Sequence, residues 1–225
     1  MGKGSYPGLD EFLQEQPLIS IKPSDESSLI LEGEFQFTAE YPGLSRVTDS
    51  YTLSISVPAA FPKDLPVVTE TGGRIPQDPN FHNGTGTLCL GSPMRLMAKL
   101  QAEPTLQKYS ERCIIPYLYA MTKTLTTGEK FVFGELAHNT PGEIDDYKDI
   151  LGLKSEEHVI QALNCIVQKK RIANKMDCPC GCGLRLGRCR YNQTIKHFRE
   201  IFPKAWLEKH LERIIRMRKS SGASR

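Results

Sequence analysis

One cysteine, Cys89, stands between Leu88 and Leu90 behind a polar, glycine-containing loop, Pro79-Asn80-Phe81-His82-Asn83-Gly84-Thr85-Gly86-Thr87. A cysteine reacts as its thiolate, and at an ordinary pKa of about 8.5 a few per cent is ionised at neutral pH. That fraction is enough to attack an acyl group already activated as a thioester. Asn80, His82 and Asn83 lie six to nine residues before the cysteine, within reach of it if the loop folds back. Their side chains are suited to hydrogen-bonding a developing oxyanion. Gly84 and Gly86 supply the tight backbone such a fold-back requires. The competing reading is a structural thiol in a strand, which the flanking leucines fit equally well.

The elements that would position this loop can be read from periodicity. Residues 29–40 (LILEGEFQFTAE) and 51–57 (YTLSISV) alternate apolar and polar, as half-buried antiparallel strands do. A short helix is expected over 8–16, with strands near 18–23, 29–40, 50–57 and 66–70. A proline-rich turn containing Phe61-Pro62 and Leu65-Pro66 precedes the last strand. Residues 71–103 read mostly as loop. Pro104 opens a helix over 104–126 that stops at Gly128, with a kink expected at Pro116. Ser155 caps a further helix running to about Asn174. A last helix, from about Gln193 to Arg218, is broken at Pro203, and 219–225 are expected to be a disordered tail.

This order of elements resembles the ubiquitin-conjugating enzyme family. In that family the loop reads His-Pro-Asn, then a glycine, then a hydrophobic residue, the cysteine and a leucine. Here Asp78-Pro79-Asn80 stands near the first motif, Gly86 lies three residues before the cysteine, and Leu88-Cys89-Leu90 completes the pattern. Asp78 replaces the family's histidine, and Asn80 sits one residue farther from the cysteine, as if the loop carried an insertion. Gly91-Ser92-Pro93-Met94-Arg95-Leu96 and Glu135-Leu136-Ala137-His138 through Leu151-Gly152 look more like the prokaryotic branch, whose members accompany antiphage (CBASS) operons. The resemblance, over roughly residues 8–152, implies an α+β fold: a four-stranded antiparallel meander with flanking helices. It implies an enzyme that takes the C-terminal acyl group of a protein onto Cys89 as a thioester; His82, which has no counterpart in the eukaryotic pattern, and Asn80 and Asn83 are its expected catalytic neighbours from their place in the loop. The implied partner is a nucleotidyltransferase resembling cyclic GMP–AMP synthase, whose C-terminus is joined to a target. The chain has no Gly-x-x-x-x-Gly-Lys loop, so a charged donor or a separate activating enzyme is expected to supply the acyl group. The alternative is a non-catalytic adaptor of the same fold that holds the synthase or a ubiquitin-like protein.

A second constellation lies in CPCGCGLRLGRCR, residues 178–190. Cys178, Cys180, Cys182 and Cys189 are soft ligands within reach of one tetrahedral ion, and the glycines between them let the chain wrap. A disulfide knot and a redox Cys-x-Cys are the rival readings. The stretch is similar to the SEC-C zinc motif, Cys-x-Cys, eight residues, then Cys followed by Cys or His. Cys178, Cys180 and Cys189 match it, and Arg190 stands where the fourth ligand belongs. Cys182 is the favoured replacement and His197 the alternative, so structural zinc is the expected cofactor.

The domains expected are therefore 1–152, catalytic, and 153–218, a helical module around the cysteines. Charge divides along similar lines. From Gln168 onward the chain carries 16 Lys and Arg against 4 Asp and Glu, a net +12; the remainder carries 13 against 22, a net −9. A basic module invites an acidic protein face, or its own acidic body, ahead of nucleic acid, because its few aromatics fall at helical spacing. The opening residues lack the apolar run of a secretory signal, and no stretch has the length of a membrane span. Cys113 and Cys165, on apolar helix faces, fit a reducing compartment, so a cytoplasmic location is expected.

Overall fold

The structure, a computed structural model, describes residues 6–24, 27–77, 81, 86–132 and 139–222. The chain divides into two compact units, Met1–Glu135 and Leu136–Arg225.

The first unit opens with helix α1 (Leu9–Glu15), followed by strands β1 (Ile19–Lys22), β2 (Ser28–Ala39), β3 (Val47–Pro58) and β4 (Val67–Glu70). They form one antiparallel sheet in the order β1-β2-β3-β4. The expected alternation sets its faces. Leu31, Phe35 and Phe37 of β2 and Tyr51, Leu53, Ile55 and Val57 of β3 all point into the core. Their register pairs Leu31 with Ile55 and Phe35 with Tyr51. Gly33 falls on the same inward phase, paired with Ile19 on one side and Leu53 on the other. Its φ is +150°, and a Cβ there would lie 2.0 Å from the Leu18 carbonyl oxygen, so only glycine lets β1 close on β2.

The inner face of the sheet is covered by a continuous helical segment: α3 (Leu106–Tyr109), a π-turn (Ser110–Ile114) and α4 (Ile115–Thr127). Pro116 has no N–H to donate, and the wide turn just before it absorbs the missing bond. The helix ends at Gly128 in the left-handed conformation, whose N–H bonds to the Thr124 carbonyl at 2.9 Å, as the sequence leads one to expect. Leu118 and Ala120 are wholly buried, and so is Tyr119, whose hydroxyl donates to the Ser45 carbonyl at 2.6 Å. The Tyr51 and Thr122 hydroxyls meet at 2.9 Å, and the Tyr109 hydroxyl donates to the Pro66 carbonyl at 2.9 Å. Helix and sheet are thus joined by buried polar contacts as well as by apolar packing.

The described residues of 71–103 are mostly loop, as expected, apart from one helix near the end. Helix α2 (Pro93–Leu100) occupies its end, with the Ser92 hydroxyl accepting the Arg95 N–H and Pro93 at the first turn. Met94, Met97 and Leu100 share its buried face.

The second unit begins with α5 (Asn139–Leu151), which falls within the 1–152 span expected as the catalytic domain. Within this unit α5 lies against α6 (Glu156–Val167). Ser155 caps α6 as expected, but the helix stops at Val167 rather than near Asn174, because Gln168 turns extended. A short α7 (Lys170–Ala173) leads into the cysteine segment, which closes through a 3-10 turn (Leu186–Arg188). Then come α8 (Tyr191–Ile201) and α9 (Lys204–Gly222), separated at Pro203. The α9 backbone stays helical to Gly222, past the expected stop at Arg218, since 219–221 contain neither proline nor glycine. Leu163 and Ile166 of α6, Ile195 and Phe198 of α8, and Leu207, Leu211 and Ile214 of α9 are all buried. Arg199 closes the end of α6, donating to the carbonyls of Cys165 (2.5 Å), Ile166 (3.0 Å) and Gln168 (3.0 Å). No helix among the described residues is long and apolar enough to cross a membrane.

Candidate functional site

Cys89 is half-buried, just beyond the edge of the sheet. Its segment is held at two points. The Leu88 N–H donates to the Val68 carbonyl of β4 at 2.7 Å, and the Cys89 N–H donates to the Phe81 carbonyl at 3.1 Å. Leu88 is buried in the core, which separates the two roles the flanking residues can play: the leucine anchors, and the cysteine sits at the boundary with solvent. Gly86, at φ +78°, turns the chain into this segment with open space around it. Behind Cys89 the chain passes into α2, capped by Ser92.

The start of the loop is fixed by Glu70, the last residue of β4. Its carboxylate accepts the backbone N–H groups of Gly72 (2.8 Å), Arg74 (3.0 Å) and Ile75 (3.2 Å). Arg74 in turn forks onto Asp49, at 2.6 and 2.7 Å, and lies 4.5 Å above the Tyr51 ring. Burial acts to raise the Asp49 pKa, but the Arg74 and Thr122 bonds outweigh it and hold it below the usual carboxylate value.

A third contribution comes from α4. The Tyr117 hydroxyl donates to the Phe81 carbonyl at 2.8 Å. Its ring lies 5.4 Å from that of Phe131, which is 6.4 Å from Phe81. Burial pushes the phenol pKa well up, and the neighbouring Cys89 adds to the shift. Asn80, His82 and Asn83 lie outside the described residues. Glu70 and Tyr117 were not singled out from the sequence. They are separated from Cys89 by 19 and 28 positions, and only the folded chain brings them to its loop.

In the second unit, Cys178, Cys180, Cys182 and Cys189 come together, their sulfurs all within 4.8 Å of one another. The Cys178 and Cys180 sulfurs are 3.2 Å apart and those of Cys180 and Cys189 3.7 Å. Four thiolates at about 2.3 Å from one ion stand about 3.8 Å from each other, so the cluster has the dimensions of a tetrahedral site. No cysteine of the chain is in a disulfide. The ribbon that shapes the cluster is short: Cys178 N–H to Leu184 carbonyl (2.8 Å), Leu186 N–H to Met176 carbonyl (2.9 Å), Gly187 N–H to Asn174 carbonyl (3.1 Å). Gly181, at φ +77°, turns between the first cysteines; a Cβ on it would lie 3.0 Å from the His158 ring. The Tyr191 N–H, 3.4 Å from the Cys189 sulfur, is the main cause of a thiol pKa lowered to about 7. Burial, followed by the neighbouring thiols, raises that of Cys178. His197 is exposed on α8, edge-on to Phe198, and is not part of the cluster.

A further group of titratable side chains joins α5 to α9. Glu143 accepts from the Tyr147 hydroxyl (2.7 Å), from His210 Nε2 (2.8 Å) and from Arg213, while Tyr147 and His210 also touch. Trp206 stacks on His210 at 4.7 Å and an interplanar angle of 7°. Burial opposes ionisation of Glu143, but the His210 bond and the charges of Arg213 and His210 win, lowering its pKa to about 2. Comparison with protein-family models, with curated proteins and with solved structures finds no match to this chain.

Proposed function

We propose that the first unit is a ubiquitin-conjugating-like domain and that Cys89 is its acyl carrier. The observation that carries the reading is the placement of Cys89: half-buried, directly after a buried leucine bonded to the last strand of a four-stranded meander. A thiol on a half-buried residue whose backbone N–H is bonded favours attack in a defined geometry. In the proposed reaction the Cys89 thiolate attacks the acyl carbon of a donor thioester, and the donor's thiol leaves with a proton. An amine then attacks the Cys89 thioester; an amide forms, the amine's proton is released, and the Cys89 thiolate departs. Asn80, His82 and Asn83 serve the acyl oxygen or the incoming amine. The acyl donor is the C-terminus of a cyclic GMP–AMP synthase-like nucleotidyltransferase, supplied as a charged donor or by a separate activating enzyme, and the setting is bacterial antiphage defence.

The four clustered cysteines hold structural zinc in this reading. What supports it is the sulfur spacing and the closed, all-thiol donor set, which leaves no open position for substrate. The catalytic half is tested by incubating wild-type and Cys89→Ala protein with the charged donor and resolving the products on non-reducing gels. A thiol-sensitive adduct should form with wild type alone. Equal yield from Cys89→Ala would exclude Cys89 as the carrier.

A further inference from the structure

Resting on that reading of Cys89, we infer that Tyr117 is the positioning residue of the thiol. It acts by holding the Phe81 carbonyl, to which the Cys89 backbone is tied.

Three bonds define the arrangement. Leu88 N–H is fixed to Val68 of β4 at 2.7 Å. Cys89 N–H is fixed to Phe81 at 3.1 Å, and Phe81 is fixed to Tyr117 of α4 at 2.8 Å. A carbonyl oxygen has two lone pairs, so Phe81 accepts both donors at once. The Leu88 N–H is therefore bonded to the sheet, whereas the Cys89 N–H is bonded to a carbonyl that also accepts from a phenol on the central helix. The Val68 bond acts at the Leu88 N–H, and the Phe81 bond acts at the N–H of the next peptide. Loss of the Tyr117 hydroxyl removes the bond that ties the Phe81 carbonyl, and through it the Cys89 N–H, to α4.

The phenol is suited to this task. Tyr117 is 5 % exposed, and its ring packs on Phe131 at 5.4 Å, so the hydroxyl has little freedom to leave the carbonyl. Its pKa is raised, first by burial and then by Cys89, so it stays a donor throughout the range in which a thiol ionises. Phenylalanine would keep the ring packing and remove only the bond.

The test is Tyr117→Phe in the full chain, read in two ways. The first is amide hydrogen exchange at Cys89 and Leu88. Exchange at Cys89 should rise roughly tenfold while Leu88, tied to β4, stays within about twofold, and the melting temperature stays close to wild type. The second is the kinetics of adduct formation with the charged donor. The kcat should fall about tenfold with KM unchanged, because misorientation of the sulfur affects the attack and not docking. Unchanged exchange at Cys89, or equal loss of protection at Leu88 and Cys89, would overturn the inference. So would a kcat equal to wild type. If wild-type protein forms no adduct at all, the acyl-carrier reading falls. The exchange comparison then decides alone whether Tyr117 sets the Cys89 backbone.

Discussion

The Glu143 cluster makes the second unit sensitive to acid in a way that can be worked out from the bonds. Glu143 is 13 % exposed at its side chain, and its pKa is lowered from 4.5 to about 2. A carboxyl whose folded pKa lies below its unfolded one adds stability at every pH above about 4.5. That stability is lost as pH falls toward 2. Moving the group from 4.5 to about 2 corresponds to at most about 3 kcal/mol. Glu143→Gln keeps the shape and removes the charge that Arg213 and His210 face. The variant should be less stable than wild type by about 1–3 kcal/mol at pH 7. The difference between the two proteins should shrink steadily between pH 4.5 and pH 2. Trp206 is the chain's only tryptophan and stacks on His210, so its fluorescence reports unfolding of this cluster directly. Urea titrations of both proteins, followed at Trp206 from pH 7 to pH 2, measure the difference. Other carboxylates titrate in both chains and cancel. A difference that stays constant with pH would refute the argument, because it would assign the loss to packing and not to charge.

Purified protein should carry about one zinc per chain. Cys182→Ser should lower the metal content and His197→Ala should leave it unchanged, as read by elemental analysis, since Cys182 and not His197 belongs to the cluster. Chelation should expose residues 174–191 to limited proteolysis and leave the first unit's fragment pattern intact, because metal binding to thiolates supplies folding free energy to the segment that provides them. Glu70→Ala removes the acceptor of three backbone N–H groups and should cost about 2–4 kcal/mol in the first unit, measured by chemical denaturation. A loss under about 0.5 kcal/mol would mean that water replaces the carboxylate without penalty.

The sheet was the most legible part of the chain. Leu31, Phe35 and Phe37, and then Tyr51, Leu53, Ile55 and Val57, alternate so regularly that both long strands and their buried face follow from period two. The cysteine cluster was legible for a different reason: its four ligands are local, and a twelve-residue segment leaves few ways to arrange them. Helix α2 carries a start signal of its own, Ser92-Pro93, with Met94, Met97 and Leu100 on one face. Helix α5 was hidden because Pro141 and Gly142 look like turn residues, yet both lie in its first turn, where proline costs no backbone bond. The remaining features depend on long-range closure. Tyr117 meets Phe81 across 36 positions and His210 meets Glu143 across 67. Neither pair leaves a periodic trace, because tertiary packing alone makes them neighbours.

The claim that Cys89 carries an acyl group is tested most directly by intact mass spectrometry of the protein after incubation with the charged donor, without reducing agent. The protein should gain the mass of one acyl group, minus the thiol proton it replaces. Peptide mapping should place the group on Cys89, and a thiol reductant should release it. A stable mass gain on any other residue, or no gain while the donor is consumed, would contradict the assignment.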